Sequence, residues 1–177
     1  MKPQDIIWSD QHCGVHQATV DELEELMPDL KGLIATFPEN VYDYIWDVKV
    51  HMLMPGQYPC IPNWHRDMVP RDETGKEDLS KVTPEYPMYL WLSSGPLTEF
   101  QLEDGHSYKI RSQTWTKFTQ LDLHRGLPSS DFTWRGLIRA THKNLNISSP
   151  QVNNPFGRKS ALRRHCQVYL DANNFSW

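Results

Sequence analysis

The sequence predicts a mainly β fold, a barrel or jelly roll of about eight short strands preceded by a helical segment. Three observations predict it. The chain carries 7 Trp, 7 Tyr, 6 Phe and 13 Pro, a composition suited to strands and turns. From Tyr44 onward the apolar residues recur with a period of two. Helical spacing is confined to the residues before that point. A length of 177 residues is one domain's worth and buries a sizeable core without disulfides. The expected layout is a single domain, 1–177, with a helical segment at 1–43, a β core at 44–142 and a basic extension at 143–177.

Taken in order, Thr19-Val20-Asp21-Glu22 fits a capping box, and Leu23, Leu26 and Leu30 follow at helical spacing. Pro28 does not fit inside a helix, so it is expected to start a second one running to Phe37. Tyr44, Trp46, Val48, Val50, Met52 and Met54 then alternate with Asp47, Lys49 and His51, which predicts a half-buried strand closed by Pro55-Gly56. A second strand is expected around Trp64-His65-Arg66-Asp67. Residues 68–85 carry eight charges and little periodicity, and read as a lid-like loop. Strands are expected again at 86–92, 97–102, 108–110, 114–119, 121–124 and 132–142. Asp104-Gly105 marks a hairpin turn. Ser160–Leu170 reads as a short basic helix.

Charge and patterning exclude several classes. The net charge of −4 gives no sequence-wide signal for nucleic acid. No apolar run reaches the length of a membrane span and the N-terminus lacks a signal-peptide stretch, so the expected location is cytoplasmic. Cys13, Cys60 and Cys166 are odd in number and widely spaced, and are expected to be reduced. Residues 143–177 hold five basic residues and one acidic one, a net +4 that leaves −8 for residues 1–142. Metalloprotease HExxH, Walker, GxSxG and zinc-deaminase patterns are missing. His65-Arg66-Asp67 spells the kinase triplet, but the glycine-rich loop and DFG that should accompany it are missing too.

The same triplet carries more as His65-x-Asp67. On a strand, residues i and i+2 face one side, so an imidazole and a carboxylate point together. Downstream, Leu123-His124-Arg125-Gly126 supplies a second imidazole. Two imidazoles and one carboxylate form a facial triad that leaves coordination positions open on a non-haem Fe(II). The strand after His124 places Arg135, Leu137, Arg139 and Thr141 on one face. Two guanidiniums on such a face are costly unless they meet anions, and they suit a carboxylate clamp.

These motifs, over residues 44–142, resemble those of the Fe(II)/2-oxoglutarate-dependent oxygenases. The matching features are the strand with its Pro-Gly turn, His65-x-Asp67, Thr98-Glu99-Phe100, Leu123-His124-Arg125-Gly126 and the following arginines. The resemblance implies a double-stranded β-helix, a jelly-roll and cupin relative, with the helices packed on its outside. It implies iron held by His65, Asp67 and His124. It implies 2-oxoglutarate held by Arg135 or Arg139, O2 as co-oxidant, and hydroxylation of a further substrate. A small molecule, an amino acid or a peptide is the expected substrate class. The basic tail keeps single-stranded nucleic acid open, and no membrane partner is expected. Two rival readings remain: a cupin-like metal enzyme without 2-oxoglutarate, and a β-barrel that binds without turnover.

Other residues offer weaker patterns. Trp64, Tyr89, Trp91 and His51 are expected in the substrate pocket, with Lys49 and Tyr58 as further wall residues. On one strand Tyr89 and Trp91 oppose Met88 and Leu90, so one of these two faces lines the barrel. His12 and His16 lie at i,i+4 beside Cys13, as a helical metal cluster would. Cys60 precedes His65 by a spacing uncommon for zinc.

Overall fold

The computed structural model describes residues 6–12, 14–93, 95, 97–145 and 170, and the backbone of 161–163. It is mainly β. In chain order the elements are β1 (Gly14–Ala18), α1 (Val20–Leu26), α2 (Lys31–Ile34), β2 (Tyr44–Leu53), β3 (Met88–Leu92), β4 (Thr98–Gln101), β5 (Ser107–Lys109), β6 (Thr116–Phe118), β7 (His124–Gly126), β8 (Thr133–His142) and β9 (Ala161–Arg163). They build two antiparallel sheets. One has six strands in the order β6-β3-β8-β2-β1-β9, the other three in the order β5-β4-β7.

The capping box forms as the sequence predicts. Thr19 Oγ1 accepts from the Glu22 amide at 3.3 Å, and Glu22 Oε2 accepts from the Thr19 amide at 2.8 Å. Such a cap contributes about 1 kcal/mol to a short helix. The expected second helix is shorter than its spacing implied. Pro28–Leu30 is a 3-10 turn and α2 adds one α turn after it.

Strand alternation sorts side chains into two cores. Trp46, Val48 and Val50 of β2, Ile138 and Ala140 of β8, and Tyr89 and Trp91 of β3 pack against Leu23, Leu30, Leu33, Ile34 and Phe37. The helices therefore cover one face of the six-stranded sheet. On the other face Met88, Leu90, Leu92, Leu137 and Phe118 meet Phe100 of the smaller sheet. Aromatic content is spent mainly on the outer core. Phe37 takes edge contacts from Tyr44, Trp46, Tyr89 and Trp115 with ring centroids 4.9–5.1 Å apart. Gly136 of β8 is needed there, because a Cβ would lie 2.3 Å from the Trp8 ring.

Several expectations change. The segment 1–43 is not purely helical: β1 lies within it and pairs with β2 and β9. Its sequence, Gly-Val-His-Gln-Ala, is too short for a periodicity signal. A bulge between Val15 and Ala18, with Gln17 at φ +55°, breaks the alternation further. Ala161–Arg163 is a strand and not the start of a helix, since it completes the sheet edge along β1. The remainder of the expected basic helix lies outside the described residues. The strand expected at 121–124 begins at His124, and the one expected around Trp64 reduces to a single bridge, His65 to His124.

Candidate metal centre

The two histidines are brought together by backbone pairing. His65 N donates to His124 O at 3.0 Å and His124 N donates to His65 O at 2.9 Å. The pairing continues through Gly126 N to Ile61 O at 2.7 Å. The stretch 61–65 thus runs beside β7 on the side away from β4. Gly126 permits this approach, because a Cβ there would stand 2.5 Å from the Cys60 carbonyl. Asp67, two residues after His65, falls on the same side. Ligand atoms of His65, Asp67 and His124 all lie within 4.8 Å of one another. His65 Nε2 is 4.0 Å from Asp67 Oδ1, and His124 Nε2 is 3.8 Å from Asp67 Oδ2.

The outer nitrogens of the two rings are also committed. His65 Nδ1 lies 2.8 Å from the Asn63 carbonyl and His124 Nδ1 lies 3.3 Å from the Asp122 carbonyl. A carbonyl only accepts, so each Nδ1 donates there, and each Nε2 is left facing Asp67. Both rings are buried, and Phe100 stacks on His124 with centroids 5.1 Å apart. Burial, then the neighbouring His124 imidazole, holds His65 below its ordinary value and favours the neutral ligand form.

Asp67 is fixed from the far side. Arg139 Nη1 donates to Asp67 Oδ2 at 2.7 Å, and Arg139 Nη2 donates to Asp47 Oδ2 at 2.8 Å. Asp47 is itself buried and accepts from the Gln17 amide at 3.0 Å, with His16 Nδ1 2.7 Å from its Oδ1. Burial would raise both carboxyls. The Arg139 guanidinium, together with His16 at Asp47 and the His124 and His65 imidazoles at Asp67, more than offsets it, and both carboxyls lie well below the usual carboxylate range.

Arg135 is different. It is fully buried, and its Nη2 donates to Thr98 Oγ1 at 3.1 Å. Its Nε and Nη1 have no partner among the described residues. Burial pulls its pKa down to about 10. Thr98 and Cys60 both border a cavity of about 200 Å³ that also touches His65, Asp67 and His124. Arg135 therefore stands one side chain behind the cavity wall. Burial likewise pushes the Cys60 thiol up, with Arg135 and Lys49 opposing it.

The expected pocket residues fare unevenly. Lys49 borders the cavity. His51 shares the inward face of β2 and pairs in register with Arg135, but is buried behind the wall. Tyr89 and Trp91 face the helices, so the pocket expectation fails for both, and the inward face of β3 is that of Leu90. Trp64 is also absent from the wall. Its ring lies under Arg125, with the guanidinium carbon 4.5 Å from the centroid, and Arg125 is ion-paired to Glu99. Tyr58 does not border the cavity either. The helical cluster is overturned because His16 lies on β1; Cys13 and Cys166 lie outside the described residues.

The lid expectation for 68–85 also fails. None of these residues borders the cavity. Arg71 bridges Glu77, Arg66 pairs with Glu77 at 3.1 Å, and Gln120 Nε2 donates to the Met68 carbonyl at 2.6 Å. The segment is a clamped excursion beside the site. Sequence reasoning missed the roles of three residues it named otherwise: Asp47, His16 as the partner of Asp47, and the Thr98 hydroxyl as the partner of Arg135. Asp47 was legible only as a polar residue on an alternating strand.

Compared with family models, with curated proteins and with solved structures, the chain gives no match.

Proposed function

We propose that the chain is a non-haem Fe(II), 2-oxoglutarate-dependent oxygenase, most simply a hydroxylase, on a double-stranded β-helix. The fold reading rests on the two sheet orders. The stretch 61–65 lies along the free edge of the three-stranded sheet through the His65–His124 bridge, and β6, β3 and β8 of the larger sheet face that sheet across the inner core, with β2 beside them at the cavity.

One observation carries the functional reading: His65, Asp67 and His124 converge on one cavity, while a buried guanidinium lacking any carboxylate, that of Arg135, lies directly behind its Thr98 wall. The donor set fits a divalent first-row metal, with Nε2 atoms presented by carbonyl-bonded rings and a carboxylate that is ionised. Such a metal would supply open positions for a chelating cosubstrate and O2. Asp67 is kept in place by Arg139, and Phe100 with Phe118 shields His124 from water. Arg135 with Thr98 offers a cation and a hydroxyl to the distal carboxylate of 2-oxoglutarate, the pairing that would satisfy its two unbonded nitrogens.

One feature favours a second reading, a metal enzyme of the same fold that does not use 2-oxoglutarate: Arg135 does not itself border the cavity. The experiment is anaerobic loading with Fe(II), addition of 2-oxoglutarate and O2, and measurement of succinate and CO2. Metal-dependent succinate formation that His124→Ala abolishes supports the oxygenase. Metal binding without any 2-oxoglutarate binding supports the second reading.

A further inference from the structure

Lys49 is the cation that the proposed chemistry leaves over. It sits on the inward face of β2 between Asp47 and His51, opposite Leu137 of β8 in register. It is half-buried and borders the cavity together with all three triad residues. Among the described residues it has no carboxylate partner, whereas Arg139 has two. It shares the cavity wall with His65, Asp67 and His124 and with Cys60 and Thr98, the residues in front of Arg135.

The charges around the cavity can be matched one against another. Asp47 and Asp67 bring two negative charges, and Arg139, Arg135 and Lys49 bring three positive ones. A divalent metal and dianionic 2-oxoglutarate cancel each other. One positive charge then remains, free to attract an anion into the cavity. Arg139 is occupied by its two carboxylates and Arg135 faces Thr98 behind the wall, so Lys49 is the group left to meet a further anion.

We infer that Lys49 is a specificity-determining residue for the prime substrate, and that this substrate is a small molecule carrying a carboxylate or a phosphate. The inference rests on the oxygenase reading. The ammonium holds the anionic group at the cavity wall and so fixes which carbon of the substrate is presented to the metal. Uncharged analogues of the same shape leave Lys49 without its counter-ion and are rejected.

The test uses Mn(II) as a paramagnetic stand-in for iron, with saturating 2-oxoglutarate, and needs no turnover. Inorganic phosphate is followed by 31P relaxation and acetate by 13C relaxation, each as a function of anion concentration. Expected is Mn(II)-dependent relaxation of at least one of the two probes by the wild-type protein, which tells phosphate from carboxylate. Lys49→Met should weaken that probe about tenfold or more, while Mn(II) and 2-oxoglutarate bind within about twofold of wild type. Lys49→Arg should retain it, and thermal melts of both variants establish that they are folded. If neither probe relaxes in the wild type, the inference is overturned. It is overturned equally if Lys49→Met loses 2-oxoglutarate affinity as strongly as anion affinity, since Lys49 then serves the cosubstrate. If Mn(II) binds wild type and His124→Ala alike, the oxygenase reading itself falls, and the inference with it.

Discussion

Arg139 and Asp67 form an ion pair of 2.7 Å at the mouth of the triad, through the same oxygen, Oδ2, that lies 3.8 Å from His124 Nε2. The carboxylate therefore already has one lone-pair direction used and its plane set before any metal arrives. Arg139 is in turn braced by Asp47, which is braced by the Gln17 amide. Three strands, β8, β2 and β1, thus fix one ligand carried by a loop. The two arginines on the inward face of β8 divide the work: Arg139 builds the site, and Arg135 is left with charge to offer.

Replacing Arg139 with Met should therefore damage two properties together. Asp67 loses its orienting partner, and loss of such an outer contact costs about tenfold or more in metal affinity. Asp47 is left buried without its cation, which costs about 3 kcal/mol of stability. Mn(II) titration followed by electron paramagnetic resonance, with denaturant melts of the metal-free protein, checks both. Unchanged metal affinity in a destabilised variant would reduce Arg139 to a structural ion pair.

The Asp47 carboxyl sets a pH dependence. Its folded value lies well below the ordinary 3.8, held there by Arg139 and His16 against the opposing effect of burial. A depressed folded value means that the unfolded chain binds the proton first. The stability contributed by Asp47 is therefore present in full above about pH 4 and is lost as pH falls toward the folded value. Denaturant melts of the metal-free protein from pH 5 down to pH 2 should show a steeper acid limb for wild type than for Asp47→Asn. Parallel limbs would mean that the Arg139 pair does not couple to folding.

How much of this was legible follows from what alternation can and cannot encode. The polar face of β2 carries Asp47, Lys49 and His51, of which the sequence singles out only Lys49 and His51 as pocket residues and gives Asp47 no role. In the structure this face points inward, onto the cavity, and Asp47 and His51 are buried. A period of two specifies two faces and not which of them meets water. The same ambiguity moved Tyr89 and Trp91 from the expected pocket to the helix-covered core. His65, Asp67 and His124 were legible because i,i+2 spacing acts locally and the rest is a motif. Their mutual approach depends on the bridge from His65 to His124, a long-range pairing with no local signal. β1 was not legible because a bulge interrupts five residues of it, and the lid expectation failed because ion pairs such as Arg66 with Glu77 leave no trace in periodicity.

The clamped segment gives a third prediction. Because Asp78 N donates to the Pro70 carbonyl at 2.8 Å and Asp72 caps its own turn through the Thr74 and Lys76 amides, residues 70–78 are already closed on themselves. Hydrogen exchange of their amides should be the same in the metal-free protein and in the protein loaded with Mn(II) and 2-oxoglutarate. The stretch 59–61, which borders the cavity, should gain protection. Protection gained at 70–78 on loading would restore the lid.

Arg135 yields the sharpest contrast between stability and function. A fully buried guanidinium with two nitrogens unbonded destabilises the fold unless an anion joins it, and a buried charge is often replaced by an apolar side chain of similar length with a gain. Arg135→Met should therefore raise the stability of the metal-free protein by about 1–3 kcal/mol. The same change removes the cation from Thr98 and the space in front of it. If 2-oxoglutarate places its distal carboxylate there, affinity for it should fall about 100-fold, the loss expected of two charge-assisted hydrogen bonds. Mn(II) affinity should stay within about twofold if His65, Asp67 and His124 are the ligands. Thermal melts, Mn(II) titration and calorimetric titration with 2-oxoglutarate read the three quantities separately. A variant that is less stable yet binds 2-oxoglutarate normally would show that Arg135 is satisfied within the fold. The cosubstrate site would then have to be sought at Lys49, or the metal enzyme without 2-oxoglutarate accepted in its place.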